Sequence, residues 1–244
     1  NTGVLTHASN TTSEANKLNL NVTGDLDIQS GGSVNIDGKG YAGTYGPGVG
    51  TGRSGSGYGG QGAYYDSGTP GGVYGDYKEP VNIGSGAPYY SFNGGGAAKL
   101  TVGGTLTING SITSNCSYHG SGGSIWINTA TLTGNGSITA DGGLGQTSGY
   151  LGGPGGGGRI AIYYTTNNYT GSLYARGNTG ANVSAAGTIF KKSTTQTNGD
   201  LLIDGGGRNA ATSRTLFLGS SFTLDNLTLQ NYGKLKLSSG QTLN

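Results

Sequence analysis

Residues 122–143 read GGSIWINTATLTGNGSITADGG. Ile125 and Ile127 alternate with other residues, Leu132 stands between two threonines, and Ile138 and Ala140 alternate again. Alternation at period two with β-branched residues reads as strand, and Gly134-Asn135-Gly136 reads as a turn. Strands of about four residues joined by tight corners are too short for an ordinary meander. They suit one winding of a β-solenoid.

Such a winding cannot bury its inward face alone, so it must recur. Ile125, Ile127 and Ile138 are echoed at the same offsets by Ile160, Ile162 and Leu173. An earlier copy, Leu100, Val102 and Ile112, is one residue tighter, and the earliest, Leu18, Leu20 and Val34, is a few residues longer. Each copy closes on one phrase: Gly32-Ser33-Val34, Gly110-Ser111-Ile112, Gly136-Ser137-Ile138 and Gly171-Ser172-Leu173. The expected fold is all-β, a right-handed parallel β-helix or β-solenoid with long Gly/Tyr-rich side loops. Its hand is taken from the general preference of parallel crossovers.

Working outward, residues 1–244 read as a single elongated domain. Residues 1–16 form a polar, extended lead-in around Val4-Leu5. Residues 41–98 form an insert rich in Gly, Tyr and Ser with almost no alternation. An insert of that length either wraps the scaffold or packs as polyglycine-type chains, where another backbone lies in the place of a Cβ. A second Gly-rich excursion runs over residues 142–158. Trp126 points opposite to Ile125 and Ile127, to the outside or under a loop. From Leu201 the apolar pairs crowd together: Leu201 and Ile203, Leu216 and Leu218, Phe222 and Leu224, Leu227 and Leu229, Leu235 and Leu237. Residues 201–244 therefore read as further windings that close or continue the stack.

Composition narrows the function. Glycine numbers 54 of 244 residues without a strict third-residue period and with only 5 Pro, which excludes collagen. A net charge of +2 spread along the chain provides no electrostatic footprint for nucleic acid. No apolar run approaches the length of a membrane span, and no signal peptide is visible. The absence of Met and the start at Asn1 suggest a processed chain or a fragment of a larger protein.

The candidates for chemistry are few. Cys116 is the single cysteine, so an internal disulfide is excluded. Its spacing to His119 could make a nucleophile–base pair or half a metal site, but no metal-ligand spacing accompanies it. The carboxylates are scattered rather than paired, and Asp37, Asp141 and Asp204 each precede Gly at a strand end, where Asp suits a turn. Residues 71–76 miss a calcium nonapeptide by one position. Gly158 is followed by Arg159 and a strand, not by the Lys-Ser/Thr of a phosphate loop. No catalytic, cofactor or metal residue is assigned, and the chain is expected not to be an enzyme. Polysaccharide cleavage is the remote option.

Tyrosine is the notable excess. Tyr64, Tyr65, Tyr89 and Tyr90, set among glycines, are candidate contacts for glycan or a partner, because Tyr offers flat area at low entropic cost. The alternative is that these rings cover the scaffold's own sides. Among the Asn-X-Ser/Thr sites, Asn115 and Asn168 read as the better loop positions for N-glycosylation in a host that glycosylates.

The order of phrases also carries a resemblance. KLNLNVTGDLDIQSGGSVNIDGKGYAG is followed by GGVYGDYKEP, then AAKLTVGGTLTINGSI, GSGGSIWINTATLTGNGSITADGG, GGPGGGGRIAIYY and LLIDGGG. This resembles a glycine-rich β-helical module of very large, repetitive bacterial cell-surface proteins, over most of the chain. The resemblance implies extracellular location and a structural or adhesive role, and it transfers no catalytic residue. The expected function is a building block of a surface fibre, surface layer or adhesive stalk, self-assembling head to tail by strand addition. The alternative is a carbohydrate-binding surface module. The expected partners are copies of the chain itself and surface polysaccharide, with no nucleic acid, membrane span or cofactor.

Overall fold

The computed structural model describes residues 3–145, 151–216 and 221–244. The end of the lead-in at Asn1 and Thr2, the middle of the second Gly-rich excursion and Leu218 lie outside them. Two sheets dominate. The smaller holds β1 (Val4–Leu5), β4 (Ser33–Asn35), β6 (Ser111–Thr113), β8 (Ser137–Thr139) and β10 (Ser172–Tyr174), side by side in that order and all parallel. The larger runs β15 (Asn226–Gln230), β12 (Asp200–Asp204), β11 (Thr188–Ser193), β9 (Arg159–Tyr169), β7 (Ser124–Gly134), β5 (Ala97–Ile108) and β2 (Leu18–Val22). There β3 (Leu26–Ile28) also pairs with the second half of β5. Two short parallel pairs complete the description: β13 (Thr215–Leu216) with β16 (Leu235–Lys236), and β14 (Ser221–Phe222) with β17 (Thr242–Leu243). No helix occurs among the described residues.

Stacking of apolar residues follows the registers. Val34, Ile112, Ile138 and Leu173 align across the smaller sheet. Leu18, Ala98, Ile125, Ile160, Ile189 and Leu202 align across the larger. Between the sheets these rows make one dry cluster, with Ile112, Ile125, Ile127, Ile138, Ile160 and Ile162 fully buried. One alignment read from the sequence is shifted. Ile127 pairs with Leu100, and Ile125 pairs with Ala98. The slip is two residues, so every side chain keeps its face. A register irregularity between Val102 and Thr105 absorbs the difference in length.

The single right-handed parallel β-helix expected from the repeats is overturned. β11 and β12 pair antiparallel, so the larger sheet is mixed. Residues 194–199 reverse the chain in a short connection, and Gly199 supplies the left-handed φ of +88° at its end. The reversal has a physical cause on the outer face. Phe190, Leu201 and Ile203 are buried with Ala161 in a second apolar cluster, against Trp126, Tyr163, Phe222, Leu224, Leu227 and Leu235. Leu202, one residue out of phase, packs against the first cluster instead. Phe222, Leu224, Leu227 and Leu235 thus cover the outside of the sheet, and Trp126 lies within that cover.

The insert of residues 41–98 is ordered by its own backbone. Gly55 donates its N–H to Ala63, Ser56 to His119, Gly57 to Gly48 and Gly59 to Gly157. A β-strand has two lateral neighbours, whereas this segment bonds to four separate stretches of chain. Three residues per turn direct backbone groups outward in three directions, the geometry of packed polyglycine-type chains. Close approach requires glycine: a Cβ on Gly156 would overlap the carbonyl oxygen of Gly60.

Candidate functional site

The four tyrosines selected from the sequence fall near one rim of the glycine layer, around Arg53. Tyr89 is 57% exposed, and the Arg53 guanidinium lies over its ring, 4.9 Å from the centroid. Tyr90 meets Tyr89 edge-on at 5.0 Å and stacks on the His119 ring at 5.3 Å. Its hydroxyl accepts the N–H of Leu151. Phe92 and Tyr118 extend the cluster, 4.9 Å apart. Tyr65 is half-buried and is tied through its backbone to the hydroxyl of Ser54, next to Arg53. Tyr64 is 45% exposed, and its carbonyl accepts from Asn182. The rim therefore offers Tyr64 and Tyr89 outward, while Tyr90 serves the packing.

His119 organises that packing. It is buried in the left-handed region at φ +60°, with Nδ1 3.1 Å from the carbonyl of Gly153. Burial holds its pKa below the usual imidazole value. Cys116 is buried as well, and desolvation pushes its thiol up to about 12. At neutral pH the thiol stays protonated, which is unsuited to nucleophilic or metal chemistry.

Several carboxylates serve the backbone, whereas Glu14 accepts from Tyr41 and Asn82 and pairs with Lys17. Asp25 accepts the N–H of Thr105, Asp76 those of Lys78 and Glu79, and Asp225 those of Asn198 and Gly199. Burial raises the pKa of Asp204, but the bonds it accepts from Gln230, Gly206 N–H and Asn231, with the Arg176 charge, outweigh that and leave it lowered. Asp141 binds the backbone N–H and guanidinium of Arg176. Among the described residues no group of three metal-ligating side chains converges.

Asn115 is half-buried in that framework. Its Oδ1 accepts from Asp141 N–H, and its Nδ2 donates to Thr139. Asn168 is exposed but lies within β9 rather than in a loop.

Comparison with protein-family models, curated proteins and solved structures finds no match. Sequence reasoning overlooked Arg53, Phe92 and Tyr118, whose partners lie far along the chain. The loop of residues 115–120 attracted notice for its thiol, although its rings are what make the contacts.

The open edges of the sheets are the other candidate surface. At one side the larger sheet ends on β2 and β3, and the smaller ends on β1, where Val4 is 61% exposed. Between β1 and β3 lies a groove of about 530 Å³, lined by Val4, Leu5, Leu26, Ile28 and Val34 among others. At the far side β15 is the edge, with Leu229 48% exposed.

Proposed function

We propose that the protein is a structural component of an extracellular, cell-surface material and assembles with copies of itself by strand addition at its sheet edges. The carrying observation is the pair of open edges, β1 with β2 and β3 on one side and β15 on the other. An edge strand presents unpaired N–H and C=O groups, and natural proteins usually block it with charge, proline or a cover. Here β1 is Val-Leu, and β15 reads NLTLQ without a charge. The resemblance to glycine-rich modules of large surface proteins supports the same reading, as does the use of Asp25, Asp76, Asp204 and Asp225 to hold backbone N–H groups.

Light scattering and electron microscopy on the purified chain test the proposal. Assemblies that grow with concentration are expected, and Val4→Lys combined with Leu229→Lys should reduce them to monomers. A chain that stays monomeric at millimolar concentration, or a double variant that assembles as before, would overturn it.

A further inference from the structure

The outer face of the larger sheet carries a second groove of about 530 Å³, away from both edges and from the tyrosine rim. Its lining includes Thr101, Asn128, Tyr163, Lys192 and Gln196. Four of these form a single register row, Thr101 beside Asn128, Asn128 beside Tyr163, and Tyr163 beside Lys192. The row crosses β5, β7, β9 and β11. Asn128 is exposed while its neighbours Ile127 and Thr129 are buried, so the row faces outward. The turn carrying Gln196 borders the groove at the β11 side.

The chemistry of this row is mixed in a particular way. A hydroxyl, a carboxamide, a phenol ring and an ammonium stand on successive strands, about 4.8 Å apart. That step is close to the length of one hexopyranose unit. Hydroxyl and amide groups both donate and accept, as sugar hydroxyls require. The Tyr163 ring supplies an apolar wall, braced 6.4 Å from Trp126 and fixed by its hydroxyl to the carbonyl of Lys78. Lys192 donates one hydrogen bond to the carbonyl of Thr197, and an ammonium carries three donors. Lys192 is also the one charged residue among those lining the groove. A nucleic acid would need more cations, and a peptide helix would need an apolar floor.

We infer that this groove binds a polysaccharide laid across the strands, with a carboxylate-bearing sugar against Lys192. The site is independent of assembly, because β5, β7, β9 and β11 are interior strands.

The probes are polygalacturonate as an acidic chain and hydroxyethyl cellulose as a neutral one, titrated calorimetrically into the whole chain. Polygalacturonate should bind more tightly than the neutral polymer and weaken as salt rises. Asn128→Ala and Lys192→Gln should each weaken it about ten-fold, the scale of one lost hydrogen bond to a charged or polar group. Lys192→Gln should also remove most of the salt dependence. Both positions are on the surface, and unchanged thermal melts would show intact folding. No binding of polygalacturonate, wild-type affinity in both variants, or a loss produced instead by Tyr89→Ala would overturn the inference. None of these results would bear on strand addition, which is read from particle size.

Discussion

Asp37 Oδ1 accepts the backbone N–H of Asn115 at 2.6 Å, and Asn115 Oδ1 in turn accepts the N–H of Asp141 at 2.7 Å. Asp141 repeats the contact to Arg176 N–H at 2.7 Å. Each residue follows a strand of the smaller sheet by two positions, so side-chain carbonyls continue the ladder past the point where the strands end. The position accepts either Asp or Asn, because the bond needs only an oxygen.

That equivalence yields a stability prediction. Burial raises the pKa of Asp37, and the nearby Asp141 charge adds to it. With a raised pKa the folded state holds the proton more tightly, so stability falls as pH rises from the unfolded value near 3.8 through the folded value. At neutral pH the Asp37 charge is a net cost. Asp37→Asn keeps the acceptor for Asn115 N–H and removes that charge. It should therefore raise the Tm at pH 7 relative to the wild type. The gain should vanish below pH 3.8, where Asp37 is neutral in both states. Melts at the two pH values decide the matter, and an equal or lower Tm for the variant at pH 7 would refute it.

Arg159 fastens the insert to the larger sheet. It is 2% exposed, and among the described residues no carboxylate pairs with it. Its Nε and Nη2 donate to the carbonyl of Tyr74, its Nη1 to Thr188, and its guanidinium lies 5.4 Å from the centroid of Tyr58. Arg159→Ala leaves these acceptors unsatisfied beside a cavity, at a cost of about 3–5 kcal/mol. Arg159→Lys should restore little, because an ammonium lacks the planar fork. The effect should be concentrated in residues 41–98, read as faster amide exchange there than in β5 and β7. A uniform change across the chain would contradict the role assigned to Arg159.

How much of this was legible beforehand differs by region. The alternation at Ile125, Ile127, Ile160 and Ile162 located β7 and β9, because inward residues of a buried face declare themselves at period two. Pairing direction was not legible. Leu201 and Ile203 alternate like any strand, and the same pattern serves parallel and antiparallel neighbours alike. The reversal at Gly199 depends on Phe190 and Trp126 having an outer face to cover, which is a tertiary fact. Glycine runs announced close backbone approach without saying which segments meet. The row from Thr101 to Lys192 draws one residue from each of four strands, and no local motif joins them.

Two glycines, Gly156 of the second Gly-rich excursion and Gly72 of the insert, separate packing from mere flexibility. Gly156 sits where a Cβ would strike the Gly60 carbonyl, whereas Gly72 has nothing within 4 Å of that position. Gly156→Ala must push two backbones apart and should lower stability by about 1–3 kcal/mol or more. Gly72→Ala should be neutral or stabilising by up to about 1 kcal/mol, because it restricts the unfolded chain. Denaturant midpoints of the two variants test this, and equal effects would mean that the glycine layer is not close-packed.

His119 should make the protein acid-sensitive in a defined window. Its folded pKa is lowered by burial, only partly offset by the bond to Gly153. The unfolded state therefore takes up the proton first, and stability is lost as pH falls from about 6.5 through the folded value. His7 is shifted the same way, by burial and by Lys39, and contributes to the same slope. His119→Asn tolerates the positive φ and cannot titrate. The variant should be less stable than the wild type at pH 7, having lost the Tyr90 stack, yet its Tm should change less between pH 7 and pH 5. The remaining slope should disappear in the double variant with His7→Asn. If the single variant kept the full wild-type slope, His119 would have to be reached by water and protons in the folded state, and its place at the centre of the aromatic rim would need to be redrawn.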